Sequence, residues 1–220
     1  MTSELFGLFG TGILETLYMV IVSTLLAYII GIPMGIILNV TSSNGIRPNR
    51  AVNVILGVIV NILRSVPFII LLLALIPFTR AIVGTTVGST AVIVPLVVSA
   101  APFVARMIES SLKEVDAGVI EAAESMGSTR MQIIFKVLLP EARPSMTVGA
   151  AISIVTILGY SAMAGFVGGG GLGAIAINYG YYRYDYQIML ITVVLIVIIV
   201  QIFQEVFMRI ATKTDRRINK

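Results

Sequence analysis

Long apolar runs broken by short polar stretches set the plan of this chain. A helix needs about 20 apolar residues to cross a bilayer core, and five runs offer that length or close to it. They predict spans at about residues 13–38, 62–78, 89–107, 146–167 and 186–210. Residues 1–11, with Glu4 as their one charge, read as a brief tail. The first run is longer than a bilayer requires, so that helix is expected to tilt or to extend past the headgroups. Gly31, Pro33 and Gly35 near its end either kink it or admit a neighbouring helix closely, with plain tolerance in a membrane helix as the blander reading.

Residues 41–50 form a turn-rich loop carrying Arg47 and Arg50. Residues 51–78 are too many for one upright span and include Arg64 and Pro67. A charge at mid-membrane is costly, so the second span is placed at 62–78, with 51–61 along the cytoplasmic side and Arg64 snorkelling at the inner interface. Arg106, Glu109, Lys113 and Glu114 mark the emergence of the third span. Gly149, Ala150, Ala151 and Ser153 give the fourth a small-residue packing face. Residues 211–220 are a basic tail. With no internal repeat or low-complexity linker, residues 1–220 read as a single transmembrane domain: an all-α polytopic membrane protein of five transmembrane helices.

Residues 116–140 are the one long polar interruption. Asp116 suits a helix N-cap, Gly127 the left-handed residue that ends a helix, and Thr129 with Gln132 a capping box that opens another. The stretch reads as two short helices with a sharp break. The first carries Glu121 and Glu124 beside Val119, Ile120, Ala122, Ala123 and Met126, a composition suited to a groove on a protein partner. An ordinary connecting loop is the bland alternative.

Composition narrows the function. The chain is 57% hydrophobic and 12% charged, with mean hydropathy +1.00, which belongs to polytopic membrane proteins. Its pI of about 9.5 comes from basic residues placed between apolar runs, a topology signal that argues against nucleic acid as a partner. There is no Cys and no His, so disulfides, thiol nucleophiles, imidazole bases and the commonest transition-metal ligands are excluded, and no cofactor or metal is expected. The carboxylates touching the spans, Glu15, Glu109 and Glu205, lie near span ends, and no P-loop is present. The chain is therefore expected to catalyse nothing itself. Residues 168–173, GGGGLG, formally contain a dinucleotide fingerprint. A membrane span precedes them where the fingerprint needs a strand, so they are read as a tight turn at a membrane face. The tyrosines at 179, 181, 182, 184 and 186 suit the headgroup region.

The first apolar run lacks a basic leader and is too long for a signal peptide, so it is expected to be retained. If the C-terminus is cytoplasmic, that side holds Arg47, Arg50, Arg106, Lys113, Arg130, Lys136, Arg143, Arg209, Lys213, Arg216, Arg217 and Lys220, and the outside keeps Arg80 and Arg183. The positive-inside rule then predicts the N-terminus outside and the Glu121 loop in the cytoplasm.

The spacing E-A-A-x-x-x-G, then V-x-L-P, from Glu121 through Gly127 to Pro140, resembles the loop of ABC-importer membrane subunits that engages the ATPase. The stretches VNILRSVPFIILLLALIPFTRAIVGT, APFVARMIE, GYSAMAGFVGGGGLG and YGYYRY, from Val60 onward, resemble the permeases of type I methionine importers. The resemblance implies a permease homodimer in the bacterial inner membrane, a cytoplasmic ABC ATPase and an extracytoplasmic methionine-binding protein or lipoprotein. It assigns coupling to Glu121, Ala122, Ala123 and Gly127, with Leu139 and Pro140 ending the loop; Val137 stands where the pattern favours Ile. Ala122 and Ala123 are expected to be small so that the helix seats closely. Tyr160, Ser161 and Met163 are the polar or polarisable groups deepest in the fourth span and, with Arg64, are the candidates for the translocation path. Methionine, as either enantiomer, is the expected substrate. A permease for an osmoprotectant such as glycine betaine is the second reading, and an ion-driven secondary carrier is the rival from another class.

Overall fold

The computed structural model describes residues 2–214, and the chain over them is helical throughout, with no strand among the described residues. Arg216, Arg217 and Lys220 of the basic tail lie outside them. Helix α1 (Thr2–Val40) begins at the second residue, so the brief N-terminal tail is part of the first helix. Besides residues 50–74, a bent pair that makes a fifth span if taken as one, four helices among the described residues are long and apolar enough to cross a membrane. They are α1, α5 (Ser89–Lys113), α7 (Arg130–Val167) and α9 (Tyr186–Thr214). Between the first two lie α2 (Arg50–Ser65), α3 (Phe68–Ala74) and α4 (Ile76–Val83). Between α5 and α7 lies α6 (Ala117–Ser125), and between α7 and α9 lies α8 (Gly171–Ile175), which runs on into a π-helical turn, Ala176–Tyr181.

α5 is the central helix. Its apolar residues are buried along its length, against α1 on one side and α7 on the other. Small residues set the approach of α1. Gly31 and Gly35 lie one turn apart, and a Cβ on Gly35 would stand 2.6 Å from the carbonyl oxygen of Ala105 and 2.7 Å from Ile108. A Cβ on Gly31 would stand 2.6 Å from Val104. The helices touch backbone to backbone there, the close packing that small residues permit in lipid. Of the readings open for these glycines, close contact is the one the fold uses. The face Gly149–Ser153 works the same way, with Gly149 against Met107 and the buried Ser153 hydroxyl within 3.4 Å of the Tyr28 hydroxyl of α1.

The second span departs from expectation. Residues 62–78 are not one helix, and 51–61 are not a separate surface segment. Residues 50–65 form the single helix α2, which then turns by 102° into α3. Pro67 causes the break: it lacks an N–H and its ring disfavours helical geometry in the preceding residue, and Val66 is extended at φ −81° and ψ 125°. The chain bends again at Leu75, ahead of Pro77. Arg64 falls in the last turn of α2, where a cation is favoured by the helix carbonyls. α2 starts under an Asn49 cap, and Asn53 ties it to the end of α1 through the Leu38 carbonyl at 2.7 Å.

Candidate functional site

Two features stand out: the short exposed helix α6 at one end of the bundle, and the broken segment α2–α3, which packs on α5 and meets α7 at Tyr160, near the end of that helix.

α6 is bounded as its residues demand. The Asp116 carboxylate accepts the Gly118 N–H at 2.7 Å. At the other end Gly127 is left-handed at φ 75°. Its N–H donates to the Glu124 carbonyl at 2.9 Å and that of Ser128 donates to the Ala123 carbonyl at 3.1 Å. This paired closure is the Schellman arrangement, which favours glycine at its left-handed position. Thr129 and Gln132 then form the reciprocal capping box, with the Thr129 N–H to Gln132 Oε1 at 2.8 Å and the Gln132 N–H to Thr129 Oγ1 at 3.4 Å.

Beyond the capping box the chain does not form the expected second short helix. α7 continues from Arg130 through Leu139 and Pro140 into the fourth span, so these two residues lie inside a helix and do not end a loop. Residues Ile133–Leu138 widen to a π-turn, in which the Leu139 N–H donates to the Ile134 carbonyl. A proline removes one helical N–H and crowds the carbonyl four residues back, and a π-turn ahead of it accommodates both. α6 packs on this turn.

The two faces of α6 are unlike. Ala123 is 2% exposed and belongs to the core cluster with Leu112, Ile133, Ile134 and Leu138. Its small size lets α6 seat on its own chain. Glu121, Ala122 and Gly127 face outward, together with Val119 and Met126; Met131 and Phe135 of α7 are exposed beyond the turn. An exposed apolar set of this kind on a short helix is what a partner groove covers. Glu121 and Glu124 also line an open groove of about 550 Å3 with Lys113 and the 42–46 turn.

At the broken segment, Phe68 of α3 stacks on Tyr160 of α7, with ring centroids 4.6 Å apart and planes within 5°. The Arg64 guanidinium stands 5.9 Å from the centroid of the Phe103 ring in α5. Met163 is exposed. Ser161 is buried and donates to the Leu158 carbonyl at 2.7 Å, so its hydroxyl is turned back onto its own helix. The structure thus brings Arg64 and Tyr160 to the two sides of the α2–α3 break and keeps Ser161 away from any open surface of the chain.

Sequence reasoning passes over two groups. Glu15 and Thr16 of α1 hold the glycine turn, since the Gly171 N–H donates to Glu15 Oε2 at 2.6 Å and the Leu172 N–H to Thr16 Oγ1 at 2.9 Å. Gly168, Gly170 and Gly171 are all left-handed, and the Gly168 carbonyl accepts the Gly88 N–H at the start of α5 at 2.9 Å. The second group is Arg106, Glu109 and Lys113. Glu109 is 5% exposed within α5, where the charge pattern suggests emergence. The i, i+3 and i, i+4 spacing of the three residues is the available signal.

A polytopic helical bundle with a short, outward-facing helix between its spans puts the chain in the class of helical membrane proteins. The chain belongs to the family of binding-protein-dependent transport system inner membrane components, whose model matches residues 31–220. It is 52% identical over 203 residues to a probable D-methionine transport system permease protein MetI of Vibrio cholerae, covering 92% of this chain and 90% of that one. With the Haemophilus influenzae protein of the same description it shares 46% identity, over 97% of this chain and 100% of the relative. A chain from a structure described as inward-facing conformations of the MetNI methionine ABC transporter superposes with a TM-score of 0.96 at 48% identity, over 98% of this chain and 100% of that one.

Proposed function

We propose that this chain is the transmembrane permease subunit of an ATP-driven importer that carries methionine inward across the bacterial inner membrane. The observation that carries the reading is the full-length likeness to the MetNI transporter chain, at a TM-score of 0.96 and 48% identity, joined to the exposed helix α6. The chain acts as a homodimer, each copy served by a separate ATPase that performs all ATP hydrolysis, and an outer methionine-binding protein delivers substrate.

α6 lies in a groove of the ATPase. Glu121 makes a charged contact there, Ala122 allows close seating, and Ala123 fixes α6 to the π-turn. Gly127 holds the angle between α6 and α7, and Leu139 and Pro140 carry movement through the π-turn into the fourth span. Closure of the ATPases on ATP draws the two copies of α6 together and opens the path outward; hydrolysis resets it. The N-terminus is outside and the C-terminus cytoplasmic, in keeping with the basic residues at the α6 end. Arg64 of α2 and Tyr160 and Met163 of α7 border the path, and Ser161 supports the α7 helix through its bond to the Leu158 carbonyl.

The test of substrate is uptake of radiolabelled methionine by proteoliposomes containing this chain, its ATPase and its receptor. Unlabelled methionine is expected to abolish the signal, and glycine betaine to leave it intact. Competition by betaine in place of methionine would overturn the substrate assignment.

A further inference from the structure

Coupling through α6 leaves open how its movement reaches the α2–α3 break, because α2 and α6 are separated in sequence by the whole of α3, α4 and α5. Polar contacts join α2 to α5, and the backbone carries α5 on into α6. α5 leads directly into α6 through Glu114, Val115 and Asp116. On its last two turns the buried Glu109 carboxylate accepts from Lys113 Nζ at 2.6 Å and from Arg106 at 2.6 Å. One carboxylate cannot absorb the donors of two cations. The other terminal nitrogen of Arg106, Nη2, donates across to α2, to Asn61 Oδ1 at 2.8 Å and to the Gly57 carbonyl at 3.4 Å. One turn further along α2, Arg64 meets Phe103 of the same α5 face, directly before the break.

We propose that Arg106 is a positioning residue that fastens α2 to α5 through Asn61, so that α2 and its break move with α5 and α6 when the ATPases close. The buried Glu109 aligns the guanidinium and neutralises its inner side, and the hydrogen bond that the outer side makes to the exposed Asn61 is charge-assisted and directional. Lys113 holds the second carboxylate oxygen and lines the groove shared with Glu121 and Glu124. The contact is placed where α2 has little else polar to hold it between Asn53 and the break.

This inference rests on the ATP-driven reading, and its test separates the two. Truncating Glu109 would strand two cations and endanger folding, so Asn61 is the residue to change. Asn61→Leu keeps the branching at Cγ with a somewhat larger, apolar tip and removes the acceptor, at a position exposed enough to take it; Asn61→Asp keeps an acceptor oxygen in place. In the assembled transporter, hydrogen exchange is followed in peptides covering α6 and the 64–68 break, with and without ATP and vanadate. The wild-type chain is expected to respond at both places. Asn61→Leu should respond at α6 alone and transport about fivefold less methionine per ATP hydrolysed, or lower still, whereas Asn61→Asp should restore both. A wild-type break that ignores nucleotide, an Asn61→Leu break that responds fully, or failure of Asn61→Asp to rescue would each overturn the proposal. Failure of wild-type methionine uptake, with the exchange response intact, would count against the substrate reading alone.

Discussion

Gly127 is a single position on which the angle between α6 and α7 depends. A Cβ there meets nothing within 4 Å, so the constraint is the left-handed backbone alone. Gly127→Val should strain that turn by about 1–2 kcal/mol. The expected outcome in proteoliposomes is ATP hydrolysis that persists while methionine uptake falls, and Gly127→Asn should do less harm because Asn tolerates the same region. Normal uptake by an assembled Gly127→Val transporter would remove the hinge role. The neighbouring alanines should separate by face. Ala123→Leu overpacks a site that is 2% exposed and should lower stability by about 1–3 kcal/mol, read as earlier unfolding in detergent. Ala122→Leu points outward and should leave that unfolding unchanged while weakening ATPase binding.

At the scale of elements, the glycine turn is held by α1. With Glu15→Ala the Gly171 N–H loses its acceptor, at a cost of about 1–3 kcal/mol if water does not replace it. Faster hydrogen exchange in residues 168–175 relative to α5 is the expected readout; unchanged exchange would mean that Thr16 and the glycine packing hold the turn without Glu15. The same elements explain what is legible in the sequence. Caps are local, and Asp116, Gly127, Thr129 and Gln132 each declare a boundary through their own chemistry. The long apolar spans are equally plain from length. The broken segment is hidden because an apolar run resumes directly after Pro67 and suggests one span, so an apolar pattern masks a restriction of the backbone. Leu139 and Pro140 mislead for the opposite reason, since a π-turn carries the helix past a proline that usually marks an end. Glu15 with Gly171 and Arg106 with Asn61 are pairs distant in sequence, brought together only by packing.

For the whole molecule, a chain without cysteine lets single introduced cysteines report sidedness against a silent background. Ala122→Cys and Ser43→Cys should react with an impermeant maleimide only in inside-out vesicles, and Tyr184→Cys, at a residue 90% exposed, only in right-side-out cells. The reverse pattern would invert the proposed orientation and put α6 out of reach of any cytoplasmic ATPase. α6 is seated on the π-turn of α7 and joined directly to α5, so under the proposed coupling a pull on one short helix reaches both of these spans. The most direct test of ATP-driven import is the energy source of uptake. Methionine accumulation in proteoliposomes holding this chain, its ATPase and its receptor should require ATP and survive collapse of the proton and sodium gradients; accumulation that tracks those gradients without ATP would contradict it.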